Sequence, residues 1–439
     1  MNPLTNRRTF LKGAVLTGAG VWLGTDSVRA QSKSPNEKLN IAVVGVGGRG
    51  GANLGAVAGE NIVALCDVDD NTLAGAAQRF PKAQKYNDYR KMLEQKDIDA
   101  VVVSTPDHMH APIAANAIRR GKHVYCEKPL THTVHEARVL RELAKEHRVA
   151  TQMGNQGHSN DGARRTVELI QSNAVGYIRE IHAWTDRPIW PQGMSRPTEA
   201  QPVPSSLHYD LWLGCAPEKP YNSALLPFKW RGWWDYGTGA LGDMACHVLD
   251  VAFWGLKLEH PLWIEAQSST VNNESAPEWS IITYQFPRRG LLPPVKLTWY
   301  DGKKLPPADL VYGEKLEDNG SILVGDRGTL YLPDPYGASS KLLPGRRFED
   351  YQKPAPTIPN VTEHHADWIR ACKESPDSRV EAGSNFQYAT ALTEMVLLGN
   401  LAVRLGHRIE WDGPNARATN APEAEALVYK QYRKGFGLE

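Results

Sequence analysis

The 439-residue sequence predicts an α/β protein with two domains: a doubly wound parallel sheet, then an α+β domain on an open, largely antiparallel sheet. Three observations carry the prediction. Between residues 38 and 155 short apolar runs alternate with helix-period segments, which is the rhythm of parallel strands joined by helices. The first run, 39–44, breaks on Gly45-x-Gly47-x-x-Gly50, and a second run, 62–66, closes on Asp67. From residue 163 the alternation gives way to strand patterns separated by turns.

Each part of the 38–67 unit has a physical reason. Gly45 permits the tight turn, Gly47 lets the backbone approach a pyrophosphate, and Gly50 lets helix and strand pack closely. Gly48 and Arg49 lie in the same turn, where free N–H groups at the helix start face an anion. Asp67 stands 22 positions after Gly45, placed to accept hydrogen bonds from an adenosine ribose and to repel a 2′-phosphate. A Rossmann domain that binds NAD is therefore expected. Arg49 keeps NADP open, since it can meet a 2′-phosphate, although it reads equally as a solvated loop arginine.

The rhythm continues with helices at 71–80 and 88–95, the second capped by Asp88, and a buried strand at 98–104. Thr105, Pro106, His108 and His110 form the loop at that strand's carboxyl end, where an open α/β sheet places its ligand. The two histidines lack a carboxylate or cysteine at ligand spacing, so they are read as cofactor-loop residues and no metal is expected. A helix at 112–120, a strand at 123–126, a helix at 134–147 and a strand at 150–153 complete the domain. Asn155, Gln156 and His158 mark its junction with a second domain, 156–411. That domain opens on a helix at 163–172 and a strand at 177–185. Residues 187–229 are rich in Pro and Trp without clear period, as in an active-site lid or binding loop. Strands follow at 263–271, 280–286, 295–299 and 322–324, and helices at 362–372 and 385–405. The tail, 412–439, is polar and is expected to wrap a neighbour. An open sheet face favours a homo-oligomer.

The first thirty residues stand apart. Arg7-Arg8 precedes a mildly apolar run, 13–24, and Val28-Arg29-Ala30 offers small residues to a signal peptidase. This is the pattern of a twin-arginine export signal, handled by the twin-arginine machinery and leading to the periplasm. Residues 31–37 then form a linker. The apolar run is too short for a stable membrane anchor. Without residues 1–30 the chain carries 46 basic and 48 acidic residues, so no polyanion partner is implied and nucleic acid is disfavoured. Five cysteines, odd in number and without a C-x-x-C, read as small buried residues.

Two further stretches carry chemistry. In Glu127-Lys128-Pro129 the proline restricts the residue before it, so Lys128 is aimed. Its ammonium can steady a developing alkoxide, and a lysine whose pKa falls on burial can also exchange protons. In the Gly-rich helix start at 239–250, Asp243 is expected in the first turn, with His247 four residues on and on the same face. Histidine suits removal of a hydroxyl proton near neutral pH. The bland reading is a helix cap and a core histidine.

The glycine turn with Asp67, the Glu127-Lys128-Pro129 element and Asp243-x-x-x-His247, in this order, resemble the glucose-fructose oxidoreductase / inositol dehydrogenase (Gfo/Idh/MocA) family. The resemblance covers roughly residues 38 to 410. It implies a lysine, Lys128, on the reacting hydroxyl, an acid/base His247, Asp243 holding substrate, and frequently a cis peptide before Pro129. The Trp-rich insertion departs from the pattern and leaves family substrates a poor guide.

Six of the 13 tryptophans fall between 184 and 234. Aromatic planes pack on the C–H faces of sugars, so Trp190, Trp230 and Trp234, with Asn155, Gln156 and His158, are the candidates for contact with a carbohydrate substrate. Only one or two of the tryptophans are expected to touch it. The leading expectation is hydride transfer at a sugar, cyclitol or glycoside hydroxyl with a retained cofactor. The alternative is redox-neutral, NAD-dependent glycoside hydrolysis. A non-catalytic sugar-binding protein is the remote third reading.

Overall fold

A computed structural model describes residues 36–439; the twin-arginine pattern lies outside the described residues. The first sheet consists of β1 (Asn40–Val44), β2 (Asn61–Cys66), β3 (Gln84–Tyr86), β4 (Ala100–Val103), β5 (His123–Glu127) and β6 (Thr151–Gly154). All its pairings are parallel, in the order β3-β2-β1-β4-β5-β6. β1, β4 and β5 are buried on both faces, which explains their continuous apolar character.

The helices between them form where the local signals are strong. Val134–His147 starts on a capping box: the Thr133 hydroxyl accepts from the Glu136 N–H and the Glu136 carboxylate accepts from the Thr133 N–H. Such a cap contributes about 1 kcal/mol. Asp88 caps the short helix Tyr89–Met92, as expected.

The second sheet has nine strands: β7 (Ile178–Trp184), β8 (Trp263–Ser268), β9 (Ser280–Phe286), β10 (Val295–Tyr300), β11 (Gly320–Gly325), β12 (Thr329–Leu332), β13 (Lys341–Leu343), β14 (Ile409–Asp412) and β15 (Arg417–Ala418). Their order is β13-β12-β11-β7-β10-β9-β8-β14-β15, and every pair but β7 with β10 is antiparallel. β9 shows the strict in/out alternation of a sheet with one packed face.

The two domains are joined by a common interior. The helix Phe386–Leu405 packs on Val134–His147, on β8 and β9, and on the helix Gly239–Val248. One apolar core runs through both domains, from Val44 and Cys126 to Trp299 and Leu323. Trp368, on the helix His364–Lys373, is buried against the first domain and sits with Leu39 and Ile41. Continuous packing of this kind fixes residues of one domain against residues of the other. All five cysteines are free and buried, as read from the sequence.

Two expectations are corrected. The C-terminal tail returns to its own chain: Lys430 pairs with Glu136, the Tyr432 hydroxyl donates to Glu136, and Phe436 is buried beside Arg90. The tail's anchors, Lys430, Tyr432, Arg433 and Phe436, are scattered among polar residues and make no periodic pattern. Asp243 lies one turn further into its helix than expected, because Gly239 to Gly242 are already helical.

Candidate active site

A cleft of about 1030 Å³ opens at the carboxyl ends of the first sheet's strands and is closed over by the second domain. This is large for a small-molecule site and has room for a dinucleotide with a small ligand beside it. Its floor is the glycine turn. Gly45 has φ +78°, and a Cβ there would meet the Ser104 carbonyl oxygen at 2.6 Å. A Cβ on Gly50 would sit 1.8 Å from the Gly45 carbonyl oxygen, so only glycine lets the helix Gly48–Ala56 lie against the turn. Gly47 and Gly48 line the cleft at the helix's N-terminal end, a cradle suited to a pyrophosphate. The residues present fit the dinucleotide that the sequence implies.

Asp67 closes one end of the cleft. Its carboxylate accepts from the Val46 and Asp69 N–H groups at 2.9 and 3.0 Å. Burial raises its pKa, and those hydrogen bonds offset part of the rise. Asp69 and Asp88 line the same end, where three carboxylates would oppose a 2′-phosphate. Arg49 does not relieve them. Its Nε donates to Glu127 at 3.1 Å, on β5, which is three strands or roughly 14 Å from β2. The possible 2′-phosphate contact is thereby corrected: Arg49 serves the middle of the cleft. Glu127 also accepts from Asn53 and Gln156, and a Cβ on Gly154 would strike its carboxylate.

Thr105 and Pro106 line the cleft, but His108 and His110 do not. Both rings are buried behind the wall. His110 bonds the Pro129 and Thr105 carbonyls, and His108 Nε2 bonds the Trp212 carbonyl. Their role is to brace the loop and the element after Lys128, which corrects the expected cofactor contact.

At the other end Lys128 and the helix Gly239–Val248 converge, and the Lys128–Pro129 peptide is cis. Lys128 Nζ donates to Asp243 Oδ1 at 2.8 Å and to the Asp243 carbonyl at 2.6 Å. Burial disfavours the ammonium, but the Asp243 carboxylate outweighs it and holds the lysine above its ordinary pKa. Lys128 is therefore a fixed cation, and the reading of it as a burial-weakened proton exchanger is corrected. For Asp243, burial opposes ionisation, and Lys128 and Arg231 overcome it, bringing the carboxyl to about 2. For His247, burial and then the nearby Lys128 charge push the pKa down to about 3, so the ring is neutral and a weak base as it stands. Its Nδ1 is buried without a hydrogen-bond partner among the described residues, and Tyr336 packs edge-on at 5.2 Å.

Arg231 escaped the sequence reading. Its Nε donates to Asp243 Oδ1 at 3.1 Å, and its guanidinium lies 4.5 Å from the Phe228 ring and 4.4 Å from the Trp230 ring. An arginine inside Trp230-Arg231-Gly232-Trp233-Trp234 was the available signal. Tyr336 and Phe436 also reach the cleft and left no signal in the sequence.

The expected substrate contacts divide. Trp230 and Gln156 line the cleft, and so does Trp212, on the short helix Tyr209–Leu213. Trp190 and Trp234 are buried outside it, the first bonded to Gln192 and the second beneath Arg404. His158 is held by Asp250 at 3.0 Å and stacks on Trp254, a core arrangement. Asn155 is buried off the cleft, and its amide has no partner among the described residues. Trp190 and Trp234 are candidates as sugar-packing aromatics of the insertion and Asn155 and His158 as residues of the domain junction, but packing turns all four side chains into the interior.

The later part of the 187–229 stretch, from Pro204 to Phe228, roofs the cleft, as a lid or binding loop would. Ser206 and His208 exchange main-chain hydrogen bonds with Asp70 and Val68, and the Ser206 hydroxyl donates to Asp69. Leu207, Leu211 and Trp212 thus lie over the Asp67 end.

A glycine cradle with a ribose acid, facing a lysine, an aspartate and a neutral histidine, defines a two-domain dinucleotide-dependent oxidoreductase. Residues 39–155 match the family model described as an oxidoreductase family with an NAD-binding Rossmann fold, and residues 178–438 match that family's C-terminal alpha/beta domain. The chain belongs to the Gfo/Idh/MocA oxidoreductase family, and its first domain is that family's NAD-binding Rossmann fold. It is similar to a glycosyl hydrolase family 109 protein of Solibacter usitatus, 39% identical over 152 residues, covering 30% of this chain and 34% of that one. It is also similar to levoglucosan dehydrogenase of Pseudarthrobacter phenanthrenivorans, 27% identical over 228 residues, covering 49% and 50%. The chain thus spans about a third to a half of the curated relatives it matches. In fold it resembles the WlbA dehydrogenase of Chromobacterium violaceum, solved with NADH and UDP-GlcNAcA, at TM-score 0.62 and 18% identity, over 87% of this chain and 98% of that one.

Proposed function

We propose that the protein is an exported NAD-dependent oxidoreductase that acts on a hydroxyl of a sugar, cyclitol or glycoside and keeps its cofactor between turnovers. The single observation that carries this reading is the convergence of Lys128, Asp243 and His247 at one end of the glycine-floored cleft. Gly45, Gly47, Gly48 and Asp67 would hold the dinucleotide, which supplies a hydride acceptor and donor when bound. His247, neutral at physiological pH, takes the hydroxyl proton. Lys128, always charged, steadies the oxygen as negative charge develops on it. Asp243 fixes the lysine and leaves one carboxylate oxygen for the ligand.

Export removes the protein from the cytoplasmic nicotinamide pool, so the chemistry must restore its own cofactor. The cleft's construction supports retention: the insertion lies over its Asp67 end, and Arg433 ties the C-terminal tail to that insertion through Asp210. A second reading is favoured by the relative named a glycosyl hydrolase family 109 protein. In that route a glycoside hydroxyl is oxidised to a ketone, the proton on the neighbouring carbon is lost, and the aglycone departs. Water then adds to the alkene and the hydride returns, so the sum is hydrolysis. His247 serves as the proton carrier in either route.

Protein recovered from the periplasm without added nucleotide is expected to begin after Ala30 and to carry NAD, both read by mass. With Arg7 and Arg8 replaced by lysine it is expected to stay in the cytoplasm. Recovery in the cytoplasm alone would refute export, and free NADH accumulating in step with substrate would refute retention.

A further inference from the structure

Arg231 has no part in the account above beyond its pairing with Asp243, yet its geometry is that of a built binding group. The guanidinium packs against both the Phe228 and the Trp230 rings, which restricts it before any ligand arrives. Nε is committed to Asp243 Oδ1, and Nη1 makes a long bond of 3.3 Å to the Phe228 carbonyl. Nη2 makes no hydrogen bond among the described residues. Asp243 is used in a complementary way. Its Oδ1 accepts from both Lys128 and Arg231, while Oδ2 makes no hydrogen bond among the described residues. Both residues line the cleft.

A free donor and a free acceptor are therefore held side by side next to Lys128. A hydroxyl donates and accepts through a single oxygen, so one hydroxyl on a sugar or cyclitol ring satisfies the two together. We infer that Arg231 determines specificity: with Asp243 Oδ2 it clamps the hydroxyl adjacent to the one held by Lys128, so the ligand is a vicinal diol of fixed configuration. The inference rests on the hydride-transfer reading only for naming the hydroxyl at Lys128 as the reacting one. A carbon that lacks the neighbouring hydroxyl, or carries it on the other face, leaves a half-buried arginine and aspartate unsatisfied, a penalty that a hydrophobic pocket would not impose.

The test is a binding cycle on the NAD-loaded enzyme, read by titration calorimetry. The probes are methyl β-D-glucoside, its 2-, 3- and 4-deoxy analogues and the corresponding epimers. For wild type, one deoxy position is expected to lose at least about tenfold in affinity. Arg231→Met is expected to lose a similar factor on the parent glycoside and nothing further on that deoxy analogue, because each change removes the same interaction. Arg231→Lys keeps the charge without the fork and is expected to match the Met variant in discrimination; it carries the cycle if Arg231→Met does not fold. Losses that simply add, discrimination preserved in the variants, or no saturable binding by any probe would overturn the clamp. Reduction of the bound nucleotide is followed separately in the same samples. A cycle that couples without any reduction would sink the hydride-transfer reading and leave the clamp standing.

Discussion

Lys128→Met is expected to lower kcat by about a hundred- to thousandfold while leaving bound NAD unchanged. The size follows from removing one preorganised charge aimed at a developing oxyanion. Methionine keeps the length and apolar volume of the lysine stem, and Asp243 retains Arg231 as a partner at 3.1 Å. The carboxylate is therefore not stranded, and the several kcal/mol that usually follow when one member of a buried ion pair is deleted should be largely avoided. Steady-state kinetics together with the thermal midpoint separate the two effects. A variant that turns over normally would remove Lys128 from the chemistry, and one that has merely unfolded would show a lost midpoint and no bound nucleotide.

The second large effect concerns retention. Phe436 lines the Asp67 end of the cleft between the guanidinium groups of Arg90 and Arg433, at 4.1 and 5.0 Å from its ring. Arg90 Nη1 donates to the Gly435 carbonyl, and Arg433 bonds Asp210 and Gly214 of the insertion. The tail is thus fastened to both the first domain and the roof. Replacing Arg433 and Phe436 with alanine removes the side-chain part of this fastening but keeps the Arg90 bond to the Gly435 carbonyl and the buried Lys430–Glu136 pair. Truncating one buried phenylalanine costs about 3 kcal/mol, which falls here on a local contact and not on the core. NAD is expected to leave the variant at least tenfold faster than wild type, measured by chase with labelled nucleotide. An unchanged rate would show that the tail does not gate the cleft.

Much of this was legible in the sequence because the decisive signals are local. The first domain's central strands, β1, β4 and β5, are buried on both faces and so read as largely apolar runs. Helices such as Val134–His147 and Phe386–Leu405 carry their own caps, Thr133 and Asn385. The Lys128, Asp243 and His247 set was visible because Lys128 adjoins Pro129, Asp243 follows Gly242, and His247 falls one helical turn after Asp243. What escaped depends on contacts distant in the chain. β12 and β13 are short strands at one side of the second sheet, specified by their pairing with β11 more than by any period. Arg231 acquires meaning only when Asp243, twelve residues later, folds against it. His108, His110 and His158 look like site residues in a linear reading because they lie within two positions of the lining, but they sit on helical turns whose successive side chains fan around an axis, so only some face the cleft. The tail's return to Arg90 spans more than three hundred positions and follows no periodicity.

The central claim is that this cleft carries a substrate hydride to NAD beside Lys128 and His247. It is tested most directly by single-turnover mass measurement of the bound nucleotide after mixing with glycosides deuterated on each carbinol carbon in turn. Deuterium from one carbinol position, and from no other, is expected on the nucleotide. A nucleotide that takes up no deuterium from any position, while the glycoside is bound or cleaved, would contradict the account.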